Sequence, residues 1–361
     1  MSRLVVDSTK LPTATVCLSP YAGGMERDAL WICRNMANLT SHSIMITRAG
    51  TWLEKKAKEI GLIVESVKMR GNCNLSGSIQ LSRLWKKHNI SNIVYLGSSE
   101  MPTIYLSLLR KDVNLIVRHG TTKNTLKKDF VHRLTWSKVT SHWCISQHIL
   151  DNVKSIYPIA GKSLFVAYTS QSAKFPDIPV FTGSYRISDK IRLVHVGRLQ
   201  EGKGQRDAIK VVSQLHKHGL LANLTLYGNG PDFDYLQGMV RMLGLSGYVK
   251  FMGEVEKPYS YLKDYDIFVF PSDGEGLPNA FLEALYSGIY CCCYENTVFP
   301  ELFEMGLKFD MAHQGDYTTL AKKILCFFDK REVFPEKRNT ELISTAFSLK
   351  KEHSVVVDYL F

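Results

Sequence analysis

The chain has 361 residues, enough for two ordinary domains, and 45% of them are apolar, enough for a core in each half. Its net charge of +11 is unevenly placed: residues 1–185 hold 24 Lys+Arg against 11 Asp+Glu, a net +13, and residues 186–361 hold 21 against 23, a net −2. No basic start followed by an apolar core marks a secretory signal, and no apolar run approaches the roughly 20 residues that span a bilayer. A cytoplasmic chain is expected, with a peripheral seat on the inner face of the plasma membrane left open.

Strand and helix signals alternate along the first half. Thr13–Ser19 reads as a strand, Gly23 and Gly24 follow it, and a helical stretch runs from Met25 to Leu39. Ser43–Thr47 is the next strand and Thr51–Ile60 a helix; Asn92–Leu96 and Asn114–Arg118 are further strands, the last followed by His119 and Gly120. This alternation predicts a parallel sheet with helices on both faces. Ser170–Lys190, with Pro176, Pro179, Gly183 and several serines, breaks the pattern and reads as an interdomain region. A second alternation starts at Ile191–Val196. It continues through a helix near Arg206–Gly219, a strand at Leu224–Tyr227, a helix near Phe233–Leu243 and a strand at Val249–Met252. The predicted fold is α/β with two Rossmann-like domains, 1–180 and 181–345, and a C-terminal segment, 346–361, ending in a helix.

The densest information lies in Phe270–Gly288, with Pro-Ser-Asp-Gly-Glu-Gly-Leu-Pro-Asn after Phe270. It reads as the end of a buried strand (Asp266–Phe270), a glycine-rich turn and a helix, with Pro278 in the first turn and Gly288 as the stop. Glu275 in the turn points toward the ligand crevice of an open α/β sheet. Glu283 stands inside the helix. The free N–H groups around Pro278, Asn279 and Ala280 form an anion site. A phosphate-bearing ligand with hydroxyl groups satisfies all three. Upstream, Val196–Gly204 is a glycine-rich loop after a strand, and it carries Arg198 and Lys203. Two fixed cations there suit a diphosphate whose charge grows as a sugar leaves. Solvated glutamates and a solvated basic loop are the plain alternatives.

The spacing of Glu275 and Glu283, with Pro-Ser before and Glu-Ala-Leu within, closely resembles the signature of nucleotide-sugar glycosyltransferases of sequence family 4. Gly197-Arg198-Leu199 with Lys203-Gly204 resembles a second motif of that family. The resemblance implies a GT-B arrangement, with the two domains around a cleft and the C-terminal segment crossing back to the first. It implies that Glu275 contacts the donor sugar and Glu283 the ribose hydroxyls, with Gly276, Leu277, Pro278 and Asn279 in the donor-contacting turn. It places the loop of Gly228 and Asn229 near the nucleotide, Val255 in the segment holding the base, and Gly23, Gly24 and His119 near the transferred sugar. The implied function is retaining transfer from a nucleoside-diphosphate sugar to a glycan or lipid-linked glycan of a bacterial surface polysaccharide. The resemblance of Glu275–Asn279 favours a uridine donor, with guanosine open. Two departures occur: Phe165–Ser170 where the family has an Asn-Gly turn, and Asn296–Glu301 where it has Gly-Gly before Pro-Glu.

No cofactor is expected. Asp232-Phe-Asp234 and Asp264-Tyr-Asp266 match a metal-holding string of another glycosyltransferase fold, but helix caps and turns explain them better, so no metal site is expected. The eight cysteines include Cys291-Cys292-Cys293 after Gly288, which read as small buried strand residues. Trp52 beside Lys55 and Lys56, Trp85 beside Lys86 and Lys87, and Trp136 near Lys123, Lys127, Lys128 and Arg133 suit an anionic membrane surface. Tryptophans in the core under solvated helix faces remain the other reading. No nucleic-acid recognition motif appears. Two other functions stay open: another sugar-nucleotide enzyme of this fold, such as an epimerase, and a non-catalytic basic scaffold for membranes or polyanions.

Overall fold

The computed structural model describes residues 11–180, 190–330 and 336–360. The chain divides into two compact units, Met1–Thr169 with Lys350–Phe361, and Ser170–Leu349. The sequence reading puts the boundaries at 180/181 and 345/346; part of the Ser170–Lys190 region, 181–189, lies outside the described residues.

Unit 1 alternates strictly. Its elements are β1 (Thr13–Cys17), α1 (Gly24–Met36), β2 (Ser43–Arg48), α2 (Trp52–Glu59), β3 (Val64–Val67), α3 (Leu75–Lys87), β4 (Asn92–Leu96), α4 (Met101–Ser107), β5 (Asn114–His119), α5 (Phe130–Thr135), β6 (Ser141–Cys144), α6 (Gln147–Ile156) and β7 (Ser163–Val166). The seven strands are parallel in the order β3-β2-β1-β4-β5-β6-β7. Thr51, Asn74, Asp129 and Ser146 cap α2, α3, α5 and α6, each accepting a bond from an N–H in the first turn.

Unit 2 holds β8 (Lys190–Val196), α7 (Gln205–Lys217), β9 (Leu221–Tyr227), α8 (Phe233–Met242), β10 (Val249–Gly253), β11 (Ile267–Phe270), α9 (Asn279–Ser287), β12 (Tyr290–Tyr294), α10 (Phe299–Glu304), β13 (Asp310–Ala312), α11 (Tyr317–Lys330) and α12 (Glu336–Ala346). Its six strands are parallel in the order β10-β9-β8-β11-β12-β13. The last helix, α13 (Leu349–Leu360), buries Val356 and Leu360 in the core of unit 1. Tyr359 of α13 stacks on Phe165, with ring centroids 3.8 Å apart. No helix among the described residues is long and apolar enough to cross a membrane.

Both sheets have a strand where the order reverses. β1 lies between β2 and β4, and β8 between β9 and β11. Loops leaving the carboxyl ends on either side of such a strand diverge to opposite faces and leave a crevice. The central strands β1, β4, β11 and β12 are buried along their whole length, as covering on both faces requires. Cys291, Cys292 and Cys293 are buried in β12, and burial pushes all three thiols upward.

Two expectations about unit 1 change. Trp85 and Trp136 are buried, not interfacial; Trp85 donates from Nε1 to Ser107 Oγ at 3.0 Å inside the α3–α4 contact. Only Trp52 of the three is exposed, at 38%. Apolar area outweighs neighbouring lysines here: Lys86 and Lys87 end α3, and Trp85 turns inward from the same turn. Trp85→Ala should therefore destabilise the protein by about 3–5 kcal/mol, the cost of emptying a buried tryptophan site. Urea unfolding measures it; a change under about 1 kcal/mol would contradict the core placement.

His195, in the middle of the buried β8, shares a 2.8 Å hydrogen bond between Nε2 and the Lys203 carbonyl, so Nε2 carries the proton. Desolvation pushes it from an ordinary 6.5 down to about 4. The fold therefore favours the neutral ring. This stability is complete above 6.5 and is lost as pH falls through that value toward about 4. At 1.36 kcal/mol per unit the loss amounts to about 3 kcal/mol. Wild type should lose that much more stability over this range than His195→Gln, which keeps a donor for the carbonyl. Parallel denaturation curves with equal acid losses would contradict it.

Candidate active site

In unit 2 the reversal of strand order brings two sequence-distant loops together. β8 feeds the loop with Arg198 and Lys203, and neighbouring β11 feeds the turn with Glu275. The Lys203 ammonium donates to both Glu275 oxygens, at 2.9 and 3.0 Å. The pair is partly open, with side-chain exposures of 30% and 12%. Arg198 is exposed and has no carboxylate partner among the described residues; its carbonyl accepts from Gln205 Nε2 at 2.9 Å. The site thus presents one paired and one unpaired cation.

Backbone contacts fix these loops. The Gly197 amide donates to the Tyr227 carbonyl and the Leu199 amide to the Asn229 carbonyl. The Gly228 amide donates to the Gly253 carbonyl. A Cβ on Gly228 would lie 2.0 Å from the Gly197 oxygen, and one on Gly204 would lie 2.4 Å from the Pro271 backbone. Only glycine allows these approaches. The turns of Gly228 and Asn229 thus buttress the Arg198 loop. Val255 is half-buried in the loop after β10.

The Glu275 turn is held from behind. The Asp273 amide donates to the Gly202 carbonyl at 2.9 Å, and the Glu275 amide to Thr297 Oγ1 at 3.1 Å. Asn296 Nδ2 donates to the Ser272 carbonyl at 2.9 Å. The stretch Asn296–Glu301, a departure from the resembled pattern, is therefore the brace of this turn. Gly276, Leu277 and Pro278 are buried within it. Pro278 is the residue before α9, one position earlier than expected, and Asn279 opens the helix. Gly288 ends it at φ 83°, as expected.

Glu283 is buried one turn into α9 and accepts from Lys174 Nζ. Asn279 Oδ1 accepts from Gln171 Nε2 at 3.0 Å. The connector that begins unit 2 thus supplies two partners to α9 that sequence reasoning missed. Lys174 stands 109 positions from Glu283, in a Pro- and Ser-rich stretch with no periodic signal. The Asp-x-Asp strings are also corrected. Asp232 precedes α8 but makes no side-chain cap; it takes Arg206 instead, at 3.3 Å. Asp266 takes Arg192 through both oxygens and also accepts its amide. Asp234 and Asp264 are exposed. Among the described residues no cluster of His, Cys, Asp and Glu could hold a metal ion.

In unit 1, a pocket of about 210 Å³ opens at the reversal between β1 and β4. Tyr21, Gly97, Arg118, His119 and Lys123 help line it. Arg118 is spoken for: it donates to Asp28 at 2.7 Å and to Thr169. His119 closes β5 but is mostly buried, with Nε2 2.9 Å from His142 Nδ1 and its ring against Trp136 and Tyr157. Desolvation, reinforced by His142, pushes it well below the usual range, so it presents a neutral ring. Gly23 and Gly24 begin α1 without lining the pocket, and a Cβ on Gly24 would meet open space.

Residues 181–352 match the model of the family described as Glycosyl transferases group 1. The chain is 28% identical over 217 residues to the O-antigen biosynthesis glycosyltransferase WbnH of Escherichia coli, a match covering 57% of this chain and 58% of WbnH. Across eight curated relatives the matched stretch covers 26% to 58% of the relative's own length. Among solved structures, a glycosyltransferase from Rickettsia africae superposes with a TM-score of 0.82 at 14% identity, covering 97% of this chain and 98% of that one. Anabaena HepE, in complex with UDP and glucose, gives 0.77 at 14% identity, covering 97% and 99%. Residues 181–352 thus carry the group 1 glycosyl transferase pattern, on a fold of two Rossmann-like α/β units of the GT-B type.

Proposed function

We propose that the protein is a glycosyltransferase of surface polysaccharide biosynthesis, transferring a sugar from a nucleoside diphosphate, uridine favoured, to a glycan or lipid-linked glycan. One observation carries the reading most: Lys203 and Glu275, far apart in the chain, meet at the reversal of strand order beside the unpaired Arg198. A leaving diphosphate needs cations that are already in place. Arg198 and Lys203 provide them from fixed backbone, and the start of α9 adds positive potential. Glu275, released from Lys203 by the incoming phosphate charge, is left to accept from sugar hydroxyls. Glu283, with Lys174 beside it, faces the ribose. The relatives are named for polysaccharide synthesis, and a structural neighbour binds UDP with glucose, which supports donor class and setting.

The proposed chemistry is retaining. The acceptor hydroxyl attacks the anomeric carbon on the face the diphosphate leaves, the C–O bond to phosphate breaks, and the departing phosphate takes the hydroxyl proton. Glu275 is not the nucleophile, so the paired-carboxylate scheme of glycoside hydrolysis is not needed. His119 belongs to the pocket of unit 1 as a neutral hydrogen-bonding ring for the transferred sugar, with Gly23 and Gly24 leaving backbone accessible beside it. No metal enters the scheme, because Asp232 and Asp266 are committed to arginines. An anionic membrane surface is the proposed partner of the basic half.

Purified protein incubated with a panel of sugar nucleotides should release nucleoside diphosphate, with EDTA present. Arg198→Ala and Lys203→Ala should each cost about 3 kcal/mol of barrier, the scale of a lost oxyanion donor. Wild-type turnover by both variants, or an absolute need for added divalent metal, would overturn the assignment. An epimerase would instead interconvert sugar nucleotides, and a scaffold would release nothing.

The two glutamates should separate by ligand. Glu283→Ala should weaken binding of free UDP, which has ribose but no sugar, by about tenfold or more, the worth of a hydrogen bond to a charged group. Glu275→Ala should leave UDP affinity nearly unchanged and weaken the sugar nucleotide. Isothermal titration with both ligands tests this, and equal losses of UDP affinity would contradict the division of roles.

A further inference from the structure

Unit 1 holds a row of apolar side chains in water at a place where its charge is also concentrated. Leu126, Phe130, Val131 and Leu134 are 66%, 78%, 60% and 44% exposed, all within nine residues of chain. Lys123, Lys127, Lys128 and Arg133 are interleaved with them, and none has a carboxylate partner among the described residues. Asp129, the one acid in the stretch, caps α5 and bonds His132 through its amide and its ring.

This row is held in place. The Lys123 amide donates to Asn152 Oδ1, and its carbonyl accepts from Asn152 Nδ2, both at 2.9 Å. The Lys127 amide donates to the Ile156 carbonyl at 2.9 Å, and Lys128 Nζ to the Lys154 carbonyl at 3.2 Å. All these partners lie on α6. Phe130 and Leu134, four apart on α5, share a face. Thr135 and Trp136 turn inward to complete the core, so the outward row is not needed there.

Apolar side chains held rigidly in water mark a surface that is covered in use. We propose that residues 123–134 dock this protein on an anionic lipid bilayer. Leu126, Phe130, Val131 and Leu134 enter the boundary between headgroups and acyl chains, and Lys123, Lys128 and Arg133 sit among the lipid phosphates, while Lys127 packs over the Tyr157 ring. Charge complementarity selects this occupant: a neutral apolar partner would leave these cations without a counter-charge at its rim, and a bilayer satisfies both features at once. Lys123 also lines the unit 1 pocket, so docking places the pocket beside the lipid surface. That consequence, a lipid-linked acceptor, rests on the transferase reading; the docking itself does not.

The test is co-sedimentation of the full chain with vesicles of phosphatidylcholine and phosphatidylglycerol in equal parts, against phosphatidylcholine alone. Wild type should bind the anionic vesicles and release as salt rises. Leu126→Ser with Phe130→Ser should lower binding at least about tenfold, with unchanged circular dichroism and unchanged UDP affinity. Lys128→Gln with Arg133→Gln should release at lower salt. Phe130→Trp, a mild change at an exposed position, should add fluorescence that shifts to the blue on anionic vesicles. Failure of wild type to bind at low salt, binding by the serine variant within about twofold of wild type, or an unshifted Trp signal would overturn the proposal. So would a concentration-dependent dimer that the serine variant abolishes, since the row would then be a protein contact. UDP affinity is read separately, so failure of docking and failure of the donor site are distinguishable.

Discussion

The candidate site of unit 2 depends on one constraint: two loops that leave adjacent parallel strands must pass close enough for Lys203 to reach Glu275. The sheet sets the distance, because β8 and β11 are hydrogen-bonded neighbours. Glycine then removes the last obstacle. Gly204, at φ 84°, lies against the Pro271 backbone where any Cβ would collide. The Asp273 amide closes the contact onto the Gly202 carbonyl. A partly exposed ion pair adds little net stability. Its consequence is positional: it holds a cation and a carboxylate at the mouth of the crevice before any ligand arrives.

Protonation states sharpen what this site can do. His195 lies beneath the loop as a neutral donor, pushed down by burial, and its bond to the Lys203 carbonyl holds the loop. His119 and His142 in unit 1 form a neutral pair for the same reason. Neither unit therefore offers a buried histidine as a resident cation near neutral pH. The cations that the unit 2 site presents are Arg198 and Lys203. An arrangement of fixed cations, without a poised acid–base histidine, suits departure of an anion better than proton abstraction.

Much of this was legible in sequence, for identifiable reasons. Both sheets followed from apolar runs bounded by glycine, and Asn92–Leu96 coincides with β4. Glu275 and Lys203 stood out because each lies in a glycine-rich turn after a strand, within a string that resembles a family motif. Lys174 was not legible, because a contact spanning 109 positions leaves no local periodicity. Short elements such as β3, α4, β6 and β13 went unread, since three to seven residues carry too little pattern against their neighbours. The role of Asn296 and Thr297 was hidden differently: they differ in sequence from the resembled pattern yet brace the turn through an amide and a hydroxyl.

The basic half shows how an argument from composition can point to residues that the fold buries. A net +13 says that anions are attracted, but not by which face. Tryptophan beside lysine looks interfacial in sequence, yet Trp85 and Trp136 are core, because a helix turns consecutive residues to different sides. Leu126, Phe130 and Leu134 recur at fours, the spacing that ordinarily predicts an inward helical face. Asp129 caps the helix only from Phe130 onward, and the bonds of Lys123, Lys127 and Lys128 to α6 tie the preceding segment down. Together they turn the apolar row outward. Periodicity identifies a face; only the tether decides whether that face meets the core or the solvent.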